Sequence, residues 1–188
     1  MMDMTRRWAL ISGARGTRKA AVVQHVVRAL AARAVTVGGV TKQTCRMDGV
    51  QGYRALRIGG DATDSVLLGG PPELLPGADA MPFCSIVFER GAFERAAAWI
   101  RRAAREADVV VIDEVSKLEV ARGGYHDAIC DALRGPALVL LGVRAEQLFH
   151  VMERFELGEA LASLDAEDAA GIDDFAEQLA RQARGGAL

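Results

Sequence analysis

The sequence predicts an α/β fold in three layers, a mostly parallel sheet flanked by helices, with a β-hairpin excursion in the middle. Three observations carry this reading. Short, wholly apolar runs alternate with stretches of helical period at both ends of the 188-residue chain. Those runs have no polar face, as expected of parallel strands covered on both sides. Between them, residues 39–88 break the alternation with turn-rich sequence. A single domain spanning residues 1–188 accommodates all of it.

The elements follow in order. Trp8–Ser12 (WALIS) is an apolar run closed by glycine and reads as a buried strand. Thr17 to Arg33 lacks Gly and Pro and is rich in Ala, Val, Leu and Arg, which predicts a helix. Val35–Thr41 (VTVGGVT) is strand-like. Strand, loop, helix and strand in this order form a βαβ unit. Met47–Gly52 (MDGVQG) is turn chemistry, so Gln43–Ile58 is expected to fold as a hairpin. Residues Gly59–Pro82 contain GG, GGPP and LPG and read as irregular, with at most one short strand at Val66–Leu68. Cys84–Phe88 is a further strand candidate.

Alternation then resumes. Gly91–Arg105 places Phe93, Ala96, Ala97, Ile100 and Ala104 on one face of a helix, with arginines opposite. Asp108–Ile112 (DVVVI) is a continuous apolar strand running into Asp113 and Glu114. Tyr125–Leu133 is a helix stopped by Gly135-Pro136, and Ala137–Val143 is the next buried strand. Ala145–Phe155 is helical, Leu161–Leu164 an edge strand, and Asp173–Arg184 a final amphipathic helix.

Composition narrows the function classes. The chain is 51% hydrophobic and 26% charged, the balance of a soluble globular protein rather than a disordered one. A net charge of −2 gives no global attraction to nucleic acid or an anionic membrane. No apolar run reaches the length of a membrane span, and the start MMDMTRRW lacks a signal-peptide core. Cys45, Cys84 and Cys130 are odd in number and widely spaced, which suits reduced thiols and a cytoplasmic location. His25, His126 and His150 show no ligand spacing.

Two motifs carry chemistry. Residues 13–20 (GARGTRKA) follow a strand and open a helix, where free N–H groups and the helix dipole favour an anion. The triphosphate-cradling pattern is G-x-x-x-x-G-K-[ST]. Gly13 and Lys19 fit it; Arg18 stands where the second glycine belongs, and Ala20 where the magnesium-binding hydroxyl belongs. The second motif is VVVIDE at 109–114, whose carboxylates suit magnesium association and activation of an attacking water. In an open α/β sheet both motifs lie beyond the carboxyl ends of strands, so they meet.

The departures have definable costs. If the loop needs φ > 0 at Arg18, a side chain there costs roughly 1–2 kcal/mol; otherwise the loop takes another shape. Ala20 removes a metal ligand that water can replace, so hydrolysis suffers more than binding. Arg15, Arg18 and Lys19 place three cations in one loop, an arrangement expected to hold an anion with less dependence on magnesium. Arg144 follows a strand and can reach the same surface as Asp113, although a lone strand-end arginine more often meets water.

GARGTRKA followed by VIDEVSKLE resembles the small single-domain nucleoside-triphosphatases often labelled cancer-related nucleoside-triphosphatase, which have a RecA-like P-loop NTPase fold. The stretch GVTKQTCR at 39–46, the turn before Gly52-Tyr53 and the strand CSIVF occur in that family's order. The resemblance covers about residues 8–155 and is nearest to bacterial relatives with a degenerate P-loop. It implies that Gly13, Gly16 and Lys19 belong to the phosphate loop; Ala14, Arg15, Thr17, Arg18 and Ala20 complete the expected nucleotide-binding stretch, and Lys19, on the β- and γ-phosphates, is expected to be catalytic. It also implies Asp113 as the Mg2+-associated acid, Glu114 as the catalytic, water-activating acid, and a lysine of no assigned role at Lys117. The activity implied is slow, magnesium-dependent hydrolysis of ATP, GTP and other nucleoside triphosphates, weakened here by Arg18 and Ala20. Two alternatives stay open: a non-hydrolysing nucleotide- or anion-binding regulatory module acting through a protein partner, and a small-molecule kinase whose acceptor pocket comes from Gly59–Pro82.

Overall fold

The computed structural model describes residues 7–14, 18–61, 64–75 and 79–185. Its centre is a nine-stranded mixed sheet in the order β5-β6-β4-β3-β2-β7-β8-β1-β9. The strands are β1 (Trp8–Gly13), β2 (Val37–Met47), β3 (Val50–Ile58), β4 (Ser65–Gly70), β5 (Ala80–Phe83), β6 (Ile86–Glu89), β7 (Val109–Val115), β8 (Leu138–Arg144) and β9 (Ser163–Asp165). The helices are α1 (Lys19–Ala31), α2 (Arg90–Glu106), α3 (Lys117–Val120), α4 (His126–Arg134), α5 (Leu148–Arg154) and α6 (Ile172–Gly185). From β2 to β9 every pairing is parallel. From β2 outward to β5 every pairing is antiparallel.

The apolar strands explain the layers. In β1, Trp8 and Leu10 join one core while Ala9 and Ile11 join the other. Strands β7 and β8 divide likewise: Val110, Ile112, Val139 and Leu141 face one side, and Val109, Val111, Leu138 and Leu140 the other. Side chains alternate across a strand, so a strand buried on both faces must be apolar at every position. Helices α1 and α6 cover one face, with Val23, Val26, Leu30, Phe175 and Leu179 in its core. Helices α2, α4 and α5 cover the other through Phe93, Ile100, Ile129 and Val151. Each such Leu, Ile or Val contributes about 1.5–3 kcal/mol of transfer free energy, enough to fix the register of the central strands.

The middle is more ordered than its composition predicts. The run at 35–41 and the first arm of the 43–58 hairpin are one strand, β2, which pairs with β7 through Val37–Val40 and with β3 through Gly39–Met47. Within 59–82 two strands form where at most one was expected: β4, and β5 beginning at Ala80. Pairing to β3 and β6 supplies the hydrogen bonds that Gly-rich sequence does not promise. Pro82 is tolerated because β5 is the sheet edge. The CSIVF run is not a strand from its first residue. Cys84, at φ 54°, makes a turn with Ser85, and β6 starts at Ile86. The segment 145–155 is a 3-10 turn (Ala145–Gln147) leading into the shorter helix α5. No described helix is long and apolar enough to cross a membrane, and the three cysteines are free thiols.

Candidate phosphate site at the carboxyl ends of the strands

Strand order brings the two motifs together. Strand β8 lies between β1 and β7, so Arg144 at its end pairs in register with Gly13 and stands between the loop after β1 and the acidic pair of β7. The β7–β8 ladder pairs Ile112 with Leu141 and Val115 with Val143. Asp113 and Glu114 therefore face a single residue, Gly142, in a bulge. Glu114 has φ 65°, an uncommon conformation for a residue with a side chain. A Cβ on Gly142 would lie 2.5 Å from Asp113 Oδ1, so only glycine leaves room for that carboxylate.

Asp113 is buried. The Thr41 hydroxyl donates to its Oδ2 at 3.1 Å, and the Lys42 backbone N–H approaches the same oxygen at 3.5 Å. Its Oδ1 is buried with no hydrogen-bond partner among the described residues, and lies 3.6 Å from Lys19 Nζ. Burial pushes this carboxyl above the ordinary aspartate value, against the pull of Lys19.

Glu114 sits at the centre of a cation cluster. Lys19 Nζ donates to Oε2 at 2.6 Å. Arg144 Nε and Nη2 both reach Oε1 at 2.7 Å, and Lys42 Nζ lies 3.5 Å from the same oxygen. Burial raises the carboxyl's pKa, but Lys42, Lys19 and the hydrogen bonds from Lys19 and Arg144 prevail and hold it at about 2. Lys19 is itself buried, at the first position of α1. Among the described residues that helix has no side-chain cap and no acid in its first turn, so its positive end suits an anion.

Residues 9–166 match the NTPase family profile. The chain belongs to the NTPase family. Nucleoside-triphosphatase THEP1 of Thermococcus kodakarensis is 32% identical over 154 residues, covering 79% of this chain and 81% of that protein. The solution structure of a human cancer-related nucleoside triphosphatase matches 97% of this chain and 100% of its own, with a TM-score of 0.67. At 18% identity that likeness is one of fold, and it agrees with the α/β architecture read from the sequence.

The expected site residues differ in where the structure places them. Lys19, Asp113 and Glu114 come together as expected. Gly13 ends β1, while Ala14 and Ala20 line the cleft beside Lys19. Arg15, Gly16 and Thr17 lie outside the described residues. Arg18 is exposed, with φ −77° and ψ 33°. It occupies no left-handed conformation, so the conditional strain cost does not arise. Arg144 reverses the expectation of a solvated strand end, because the register with Gly13 turns it onto Glu114. Lys117 begins α3 and lines a neighbouring cavity.

Thr41, Lys42 and Gly142 join the site without belonging to either motif. The signal for the first two was present: the run VTVGGVT leads into a lysine as VVVI leads into DE. Two strands ending in polar residues become one site only when β2 is known to neighbour β7.

Proposed function

We propose that the chain binds a nucleoside triphosphate such as ATP or GTP in the cleft between α1 and the Asp113-Glu114 bulge, and hydrolyses it slowly. One observation carries this: Lys19, Lys42 and Arg144 converge on one carboxylate beside the first turn of α1. Three cations against the two carboxylates of Asp113 and Glu114 leave excess positive charge suited to a polyanion. The adjoining cleft, about 370 Å³, includes Ala14, Ala20, Gln24 and Thr44.

The chemistry follows from exchange of partners. A terminal phosphate competes with Glu114 for Lys19, Lys42 and Arg144. As those cations turn to phosphate oxygens, Glu114 loses the charges that suppress its basicity and becomes able to take a proton from water. The base is thereby engaged only when substrate is bound. Asp113 suits a magnesium ion, since its Oδ1 is buried without a hydrogen-bond partner among the described residues. When bound, magnesium neutralises charge on the β- and γ-phosphate oxygens. Among the described residues no group of three or more His, Cys, Asp or Glu could hold a metal. Phosphate oxygens and water would complete the shell around Asp113.

The non-hydrolysing reading draws on Ala20 and on the ion-paired Glu114. It shares the binding step and differs in turnover. Titration of a fluorescent triphosphate, with magnesium and with chelator, tests binding. Lys19→Ala should weaken it by at least about tenfold. Unchanged affinity in that variant would remove the cleft from the account.

A further inference from the structure

A second cavity, about 400 Å³, opens on the other side of the acidic bulge. Lys42, Asp113, Glu114 and Arg144 line both spaces, whereas Lys19 lines only the cleft beside α1. The cavity's far wall is apolar and aromatic. Phe88 meets Phe93 edge to face at 5.5 Å between centroids, and Phe93 meets Tyr125 at 5.0 Å. Leu68 of β4 and Phe83 and Ile86 of the β5–β6 turn add to it. A Cβ on Gly69 would lie 2.5 Å from the Phe88 ring, so the glycine of β4 lets that ring seat against the sheet. On the near side Lys42 Nζ stands 4.4 Å from the Tyr53 ring centroid. Ser116, Lys117 and Gln147 supply polar groups.

Hydrolysis needs room beside the phosphate for one water, whose share of liquid volume is about 30 Å³. This cavity is more than ten times larger and falls within the range of small-molecule sites, about 300–1,000 Å³. Its lining joins an aromatic wall to a group of polar and charged side chains, the two kinds of surface such a site combines. The polar end is the bulge itself, where a terminal phosphate bound by Lys19 meets Glu114.

From this juxtaposition we infer that the cavity is an acceptor site, and that the chain transfers the terminal phosphoryl group to a hydroxyl of a flat-ringed alcohol about the size of a nucleoside. The inference rests on the triphosphate site proposed above. A bond forms between the γ-phosphorus and the acceptor oxygen. The bond from that phosphorus to the β–γ bridging oxygen breaks, and its electron pair leaves on the nucleoside diphosphate. The hydroxyl proton passes to the Glu114 carboxylate and on to water. Hydrolysis is the same displacement with water in place of the alcohol. The antiparallel half of the sheet, through β4 and the β5–β6 turn, builds the wall that receives the ring.

The test supplies γ-labelled ATP and GTP with magnesium to the full chain, together with adenosine, guanosine, cytidine, uridine, pyridoxine or benzyl alcohol. Labelled organic phosphate and inorganic phosphate are separated and measured in the same reaction. The expected result is labelled organic monophosphate from at least one probe. Ser85→Trp, at the exposed turn on the cavity rim, should lower the ratio of organic to inorganic phosphate at least tenfold. A general structural defect lowers both products and leaves the ratio unchanged. Label appearing only as inorganic phosphate with every probe overturns the acceptor site and leaves the triphosphatase reading standing. No label released in any form, and no triphosphate bound, overturns the reading on which it rests. If Ser85→Trp weakens triphosphate binding by the same factor as transfer, the donor's own base occupies the cavity and the inference fails.

Discussion

Arg144 places both Nε and Nη2 within 2.7 Å of one oxygen of Glu114, from the end of the strand that separates β1 from the acidic pair of β7. The contact makes Glu114 the internal counter-ion of a site whose cations would otherwise face one another. It also ties the carboxylate's charge to folding. Glu114 titrates at about 2 in the fold against an ordinary 4.5, so the folded state binds fewer protons than the unfolded chain between those values. Its contribution is complete above about pH 4.5 and is lost as pH falls toward 2. Urea midpoints should therefore drop across that window by the equivalent of about 3 kcal/mol. Arg144→Ala should make that decline shallower, and an unchanged profile would mean the arginine does not hold the carboxylate.

Glu119 predicts the opposite slope. It is buried, accepting the Ser116 N–H at 3.0 Å and the Tyr125 N–H at 3.4 Å, and burial raises it to about 7. Between about 4.5 and 7 the fold retains a proton that the unfolded chain releases, so stability falls as pH rises through that range and levels off above it. The expected loss is on the order of 3 kcal/mol. Glu119→Gln should flatten the profile while keeping an acceptor for Ser116. A slope that survives the substitution would assign the effect to another group.

Much of the scaffold was legible because it rests on local pattern. WALIS, VVVI and ALVLLGV are apolar at every position, and only strands covered on both faces need that. Lys19, Asp113 and Glu114 were legible through their spacing from strand ends. Thr41, Lys42 and Arg144 depend on which strands lie side by side, a fact set by long-range pairing and absent from any one segment. Strand β5, and β4 beyond its Val66–Leu68 run, were obscured for a related reason. Their glycines and Pro82 argue against strand locally, and partners on the sheet override that preference. The short helix α3, held by Glu119 folding back on Ser116, is too brief to show a period.

Gly142 is predicted to be intolerant of any side chain. An added Cβ meets Asp113 Oδ1 at 2.5 Å and its backbone at 3.2 Å, so Gly142→Ala must displace the bulge. We expect a loss of about 1–3 kcal/mol in stability, with triphosphate turnover reduced further than stability alone explains. Thermal melts and phosphate release on one preparation check both. A variant with native stability and native turnover would show that the bulge is not held by this close approach.

Ala20 is half-buried in the cleft, one residue after Lys19. Ala20→Thr restores a hydroxyl in the first turn of α1, where a metal bound to phosphate can take it as a ligand. The expected outcome is about tenfold faster magnesium-dependent phosphate release, with little change in binding under chelation. Equal rates would place the metal away from this turn. Arg18→Gly should give no comparable gain, because φ at Arg18 is −77° and no strain awaits relief.

The central claim is that Glu114 both restrains the cations of an unliganded site and serves as the base once phosphate displaces it. Parallel measurement of triphosphate affinity and single-turnover phosphate release in Glu114→Gln tests both halves at once. The account predicts release slowed by at least about 100-fold, with affinity equal to or tighter than that of the unaltered protein, since a competing carboxylate has gone. Release at the original rate, or affinity lost along with it, would contradict the account.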